Sequence, residues 1–226
     1  NEDSVGMYQD GEAYCFLLAD GLGGHGMGEV ASELAVETAV VKFAQGSRGD
    51  GFLKEAFEAA QESVAGRQQE DRNCRDMKTT LVVLEVEKDQ LRWGHIGDSR
   101  LYYFVKGKLK ERTLDHSVPQ MLVSAGEIRE KEIRRHPDRN RLLRVLGTDM
   151  DEVNYQESQP VKRTGHQALL LCSDGFWELI EEKKMEATLK RASDPEHWLA
   201  SMEEIVCKNG RGTNMDNYSA VAVWID

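Results

Sequence analysis

Three strand-length apolar runs follow one another at residues 80–87, 91–96 and 101–105, with a shorter fourth near Leu109. Turn pairs such as Lys106-Gly107 read as hairpin connections, so the runs are expected to pair antiparallel. Around this block the apolar period changes. Ala31, Leu34, Ala35, Thr38 and Val41 recur at helical spacing within 28–44, and Phe52, Ala56, Phe57, Ala60 and Val64 mark a second helix. Further strands are expected at 14–19, ending at Asp20, at 167–172 and at 218–225. Helices are expected at 176–189 and at 196–208, the latter opened by Asp194 as cap and Pro195 at the first helical position. Residues 117–147 are irregular and polar, with short helical pieces at 118–124 and 130–135. Strands in succession with helices in separate blocks point to an α+β fold, helices packed on sheets, and not to a doubly wound parallel one. No repeat or Pro/Ser-rich linker divides the chain, so residues 1–226 are read as one domain.

The charge balance narrows what such a domain can bind. The formal net charge of −11 argues against non-specific nucleic-acid or membrane-surface binding, which needs basic patches. No apolar run approaches the roughly 20 residues of a membrane helix. The acidic start Asn1-Glu2-Asp3 does not read as a secretory signal. Cys15, Cys74, Cys172 and Cys207 are scattered, without CxxC spacing, and read as small apolar side chains in a reducing compartment. A cytoplasmic monomer is the expectation.

The aspartates carry the chemical signal. Asp20 follows Tyr-Cys-Phe-Leu-Leu-Ala, Asp174 follows Ala-Leu-Leu-Leu-Cys-Ser, and each precedes a glycine, Gly21 and Gly175. Asp98 sits at the end of another strand, and Asp216 lies two residues before the last. Rigid strand ends can bring distant carboxylates together. Such a cluster cannot stay fully ionised by itself, because like charges raise one another's pKa. Hard divalent cations such as Mg²⁺ or Mn²⁺ relieve that and prefer oxygen ligands. A glycine beside the aspartate lets a backbone carbonyl turn inward as one more. The absence of a His/Cys cluster counts against zinc. A single Asp-Gly is most often a turn; four carboxylates at strand ends favour a metal site.

In chain order, Asn1-Glu2-Asp3-Ser4, Ala19-Asp20-Gly21-Leu22-Gly23-Gly24-His25, Thr79-Thr80-Leu81, Gly97-Asp98-Ser99-Arg100, Ser173-Asp174-Gly175-Phe176-Trp177 and Asp216-Asn217 resemble the motif series of the metal-dependent serine/threonine protein phosphatases of type 2C. Asp115-His116-Ser117 and residues 140–147 are similar to the bacterial branch, and the likeness covers essentially the whole chain. The resemblance implies a four-layer αββα sandwich, two antiparallel β-sheets flanked by helices, with a binuclear Mg²⁺ or Mn²⁺ centre at one end. By the same resemblance Asp20 would bridge both cations and the Gly21 carbonyl would bind one, while Asp174 and Asp216 would hold the other. Glu2 and Asp3 would act largely through metal-bound waters, and Asp98 would serve a third, weaker ion. A water bridging the two core metals would attack phosphorus in line. The implied substrates are phosphoserine and phosphothreonine proteins, including targets of a Ser/Thr kinase.

Four departures from that pattern matter. The family's phosphate-clamping arginine would lie three residues before Asn1, so the natural chain is expected to extend upstream; Arg100 and Arg144 are the internal substitutes. Leu22 stands where some relatives carry a histidine proposed as general acid, and Lys78 where a glycine is usual. Glu178 replaces a frequent aspartate at the third-metal site. Two other classes of function stay open: a non-catalytic relative acting as a binding or scaffolding module, and a metal phosphoesterase for small phosphate esters. The remaining candidates take structural readings. His25 is read as a loop residue, His95 as packed or exposed, and Trp177 and Trp224 as core anchors. Arg134, Arg135, Arg139, Arg141 and Arg144 read as a solvated basic face balanced by nearby acids.

Overall fold

The computed structural model describes residues 1–22 and 27–225. The chain runs β1 (Asp3–Asp10), β2 (Ala13–Leu22), α1 (Gly28–Ala44), α2 (Phe52–Glu70), β3 (Lys78–Thr79), β4 (Leu81–Val86), β5 (Gln90–Ile96), β6 (Arg100–Val105) and β7 (Lys108–Arg112). It continues through α3 (Val118–Ser124), a 3₁₀ segment (Glu130–Arg135), β8 (Gln156–Glu157), β9 (Val161–Lys162), β10 (Gln167–Cys172), α4 (Asp174–Trp177), α5 (Glu182–Leu189), α6 (Pro195–Gly210) and β11 (Ala220–Ile225). Every pairing is antiparallel, as the hairpin spacing predicts.

One sheet runs β1-β2-β4-β5-β8, with β3 on β2 and β9 on β5; the other runs β11-β10-β6-β7. Strand alternation sorts the side chains into three cores. Cys15, Leu17 and Ala19 of β2, with Leu81 and Val83 of β4, pack on Ala31, Ala35, Phe57 and Ala60 of α1 and α2. Their neighbours Leu18, Val82 and Leu84 face inward and meet Leu169 and Leu171 of β10 between the sheets. Leu170 and Cys172 point the other way, onto Met185, Trp198 and Met202 of α5 and α6. The result is helix, sheet, sheet, helix: the α+β, four-layer sandwich. Full burial of one Leu or Val contributes about 1.5–3 kcal/mol, so three such cores hold the strand ends rigidly.

The structure departs from the sequence expectations at three places. The first strand, β1, has no alternating buried face: Val5 and Met7 are 55% and 64% exposed. Backbone pairing from Asp3↔Asp20 to Asp10↔Ala13 holds it, together with contacts to α1: Ser4 Oγ is 2.9 Å from Ser32 Oγ, and Tyr8 lies edge-on to Phe43. Asp20 does not end its strand but lies inside β2, which runs on to Leu22. The helix expected over 176–189 is broken into α4 and α5. Arg134, from the distant 3₁₀ segment, donates to the carbonyls of Trp177 (3.1 Å) and Ile180 (3.2 Å) and so satisfies groups a continuous helix would have used itself.

Candidate metal centre

The carboxylates converge because backbone pairing brings them together. Asp3 lies directly opposite Asp20 in the β1–β2 register. The Asp20 backbone is held on both sides. Its N–H donates to Thr80 Oγ1 (2.9 Å), while its carbonyl accepts the Thr80 N–H (2.9 Å) and the Thr79 hydroxyl (2.9 Å). Thr80 Oγ1 is also 2.8 Å from Ser99 Oγ, tying Asp20 to the turn that carries Asp98. On the other side of that turn, the Trp177 indole N–H donates to the Asp98 carbonyl (3.0 Å).

The second sheet supplies Asp174, just past β10, and Asp216, ahead of β11. Ser173 joins the two halves: its hydroxyl donates to Asp3 Oδ2 (2.8 Å) and accepts the Ser219 N–H (3.0 Å). The Glu2 N–H donates to Asn217 Oδ1 (2.7 Å), and the Glu2 carbonyl accepts the Gly21 N–H (3.0 Å). Both Asp-Gly glycines are needed for close approach. A Cβ on Gly21 would lie 2.1 Å from the Gly28 carbonyl oxygen, and one on Gly175 would lie 2.1 Å from that of Asn217. No side chain fits where the backbones press together beside each aspartate.

The electrostatics are those of an uncompensated acidic cluster. Burial, followed by the Asp174, Asp3 and Asp98 carboxylates, pushes the Asp20 carboxyl up to about 10. Burial, Glu178 and Asp216 push Asp174 up to about 6. Asp98, 5% exposed, is raised well above the carboxylate range by burial and then by Asp174 and Asp115. Asp3 is raised by burial, with Asp216 adding to it against the hydrogen bond from Ser173. Asp3 Oδ1 is buried without a hydrogen-bond partner. An oxygen-only cluster of this kind fits a hard divalent cation, which would neutralise the carboxylates and take the orphaned oxygen as a direct or water-mediated ligand. Among the described residues no three His, Cys, Asp or Glu side chains surround a single point ready for an ion. A backbone carbonyl and water must therefore complete any coordination shell, as Mg²⁺-type sites commonly allow. Gly21, the β2 residue that pairs with Thr79, follows Asp20 directly in the chain. His25, with Gly23 and Gly24 of its motif, lies outside the described residues.

Other sequence expectations sort clearly. Arg100 is no phosphate clamp. It is buried, its Nε and Nη2 each 2.7 Å from Asp115 in a bidentate pair, its guanidinium 3.3 Å from the centre of the Trp177 ring. Arg144 is exposed and reaches Asn154 Oδ1 (3.0 Å). His95 is packed, stacked on His116 with ring centres 4.7 Å apart. Nδ1 of His116 accepts the Gly97 N–H (3.2 Å), and burial holds its pKa down at about 3. Arg129, Arg134 and Arg139 are balanced by Glu132, Glu182 and Glu178. Sequence reasoning missed the Arg100–Asp115 pair beneath the Asp98 turn and the Ser173–Asp3 bridge. A guanidinium opening the apolar strand Arg-Leu-Tyr-Tyr-Phe-Val was the available clue to the first, since a buried arginine must have a partner.

Fold and cleft together define a class, and the comparisons agree: a protein phosphatase 2C family model matches residues 1–210, and the chain belongs to that family of metal-dependent phosphatases. Among its relatives, the serine/threonine phosphatase stp of Listeria welshimeri is 32% identical over 199 residues, 84% of this chain and 77% of that one. Stp1 from Staphylococcus aureus superposes with a TM-score of 0.90 at 25% identity, covering 100% of this chain and 89% of the other. The catalytic domain of the serine/threonine protein phosphatase PstP, solved in complex with 2 manganese ions, superposes with a TM-score of 0.81 at 28% identity, covering 100% and 92%.

Proposed function

We propose that this protein hydrolyses phosphoserine and phosphothreonine monoesters of proteins at the carboxylate cleft, with two divalent cations held there. The carrying observation is Asp20, forced up to about 10 by burial and by three neighbouring carboxylates. Asp20, Asp174, Asp216 and the Gly21 carbonyl would hold the two ions. Glu2 and Asp3 would support them through ordered water, and Asp98 would serve a third, weaker ion. The two cations supply the positive charge that makes a water nucleophilic at neutral pH and accepts a phosphate dianion.

The protein's own groups do the positioning. Thr79 and Thr80 fix the Asp20 backbone, Ser173 fixes Asp3, and Trp177 fixes the Asp98 turn. Arg135 and Arg141 are exposed and have no side-chain partner among the described residues, so they add a local positive field that draws phosphorylated segments toward an otherwise acidic molecule. Manganese in a relative's structure supports Mn²⁺ or Mg²⁺ as the ions. No helix among the described residues is long and apolar enough to cross a membrane. In this reading the substrates are phosphorylated proteins, including Ser/Thr kinase targets, met in the cytoplasm. The non-catalytic reading is disfavoured, because Asp20, Asp174 and Asp216, the core aspartates the resemblance calls for, are present.

The test compares phosphoserine, phosphothreonine and phosphotyrosine peptides with nucleotides, each in Mn²⁺ and in Mg²⁺. Turnover is expected for the first two peptides. Activity confined to phosphotyrosine or to nucleotides would reject the substrate class.

A further inference from the structure

Lys78, which stands where a glycine is usual in the family, lies on the face of the strands that carries Asp20. The register fixes this. Leu18 pairs with Val82, and both side chains face the core between the sheets. Side chains alternate along a strand, so Asp20 and Leu22 of β2 continue that face, as do Thr80 and Lys78 opposite them. The Thr80 hydroxyl confirms the direction, since it meets Ser99 Oγ (2.8 Å) on the turn that joins the two sheets. Leu22 pairs directly with Lys78, which makes Lys78 the diagonal neighbour of Asp20. Diagonal neighbours lie roughly 7–8 Å apart, a gap that a long side chain spans.

The backbone under Lys78 is held from several sides. Thr79 and Leu146 exchange two backbone hydrogen bonds (3.2 and 2.9 Å), and the Gln68 side-chain amide donates to the Met77 carbonyl (2.7 Å). The lysine side chain is half-buried and has neither a hydrogen bond nor an ion pair among the described residues. Other cations around the cleft are already engaged: Arg100 by Asp115, Arg134 by Glu182 and Arg139 by Glu178. Leu22, its partner across the strands, offers no polar group. An ammonium on a flexible four-carbon stem binds phosphate as a point charge, and this one stands on a fixed strand beside the carboxylate cleft.

We propose that Lys78 contacts the phosphate of the bound substrate and so serves as a cationic clamp within this chain. The inference rests on the phosphatase reading above and adds to it a substrate-binding residue. A clamp that holds the phosphate in ground and transition states alike acts mainly on KM.

The test uses Lys78→Met, which removes the charge and keeps an unbranched stem, and Lys78→Arg, which keeps the charge. Calorimetric titration of inorganic phosphate into Mg²⁺-loaded protein should show Kd raised about tenfold in Lys78→Met, the scale of one charge-assisted hydrogen bond, and mostly recovered in Lys78→Arg. KM for p-nitrophenyl phosphate and for a phosphothreonine peptide should rise by the same factor with kcat little changed. The Mg²⁺ isotherms of all three proteins should coincide. Equal phosphate affinity in the parent and Lys78→Met would overturn the proposal. So would a loss confined to peptides with acidic residues beside the phosphothreonine, which would make Lys78 a reader of flanking carboxylates, or weakened Mg²⁺ binding in Lys78→Met, which would place its action on the ions. Phosphate binding is read without turnover, so it tests Lys78 even where the parent fails to hydrolyse phosphopeptides, an outcome that would count against the phosphatase reading alone.

Discussion

Asp20 shows how a residue can be costly to the fold and necessary to the chemistry. Its carboxyl, ordinarily near 3.8, is held near 10 by burial and like charge. A group whose folded pKa is raised contributes stability that is full below the unfolded value and lost as pH rises through the folded one. The metal-free protein should therefore melt at lower temperature as pH climbs from about 5 to about 9. Asp20→Asn should flatten that slope, and added Mn²⁺ should restore stability in the parent but little in the variant. Scanning calorimetry in chelator checks this; identical slopes in parent and variant would refute it. The same substitution should lower kcat/KM by roughly a thousandfold or more, the scale of several kcal/mol of metal-supplied stabilisation. Asp98→Asn is a different experiment. The Asp98 carbonyl that accepts the Trp177 indole N–H survives the change, so the two core ions should still bind in a calorimetric titration while turnover slows. Equal loss of tight metal binding in both variants would show that the two carboxylates do not divide the work.

Among the elements, the turn between β5 and β6 depends on a support far from it in sequence. Arg100 is pinned by Asp115 through two 2.7 Å bonds and lies on Trp177, whose indole in turn holds the Asp98 carbonyl. Breaking a buried pair strands a charge, at about 3–5 kcal/mol. Asp115→Asn should cost about that in urea denaturation and should disturb the Asp98 turn before the Asp20 side of the cleft. A loss below about 1 kcal/mol would mean that the pair is as dispensable as a surface ion pair. Much of this architecture was legible in the chain. Helix α1 and strand β10 fall on the expected residues, although Val41 of the expected α1 stripe is 49% exposed and β10 is a continuous run of six buried residues. Helix α6 starts where it should, with the Asp194 side chain accepting the His197 N–H at 2.7 Å. β1 was illegible because none of its side chains is fully buried, and the α4–α5 break because Arg134, which caps it, lies some forty residues earlier. The site was legible as aspartates in motifs; the hydroxyls and indole that hold them were not, since hydrogen bonds across the sandwich leave no periodic trace.

For the molecule as a whole, the αββα sandwich works as a rigid frame that forces acidic side chains from β1, β2, the β5–β6 turn, the end of β10 and the approach to β11 into one cleft. Both sheets contribute, and the Ser173–Asp3 bond at 2.8 Å is a direct tie between them. The fold alone leaves that cleft repulsive to itself and to a phosphate dianion. The central claim is therefore that divalent cations complete the site and that no side chain serves as nucleophile. It is tested most directly by titrating Mn²⁺ into chelator-stripped protein while following hydrolysis of a phosphothreonine peptide. The account predicts no turnover in chelator, recovery in step with occupancy of two ions per chain, and no recovery for Asp20→Asn. Turnover that persists in chelator, or that returns fully in Asp20→Asn, would contradict it.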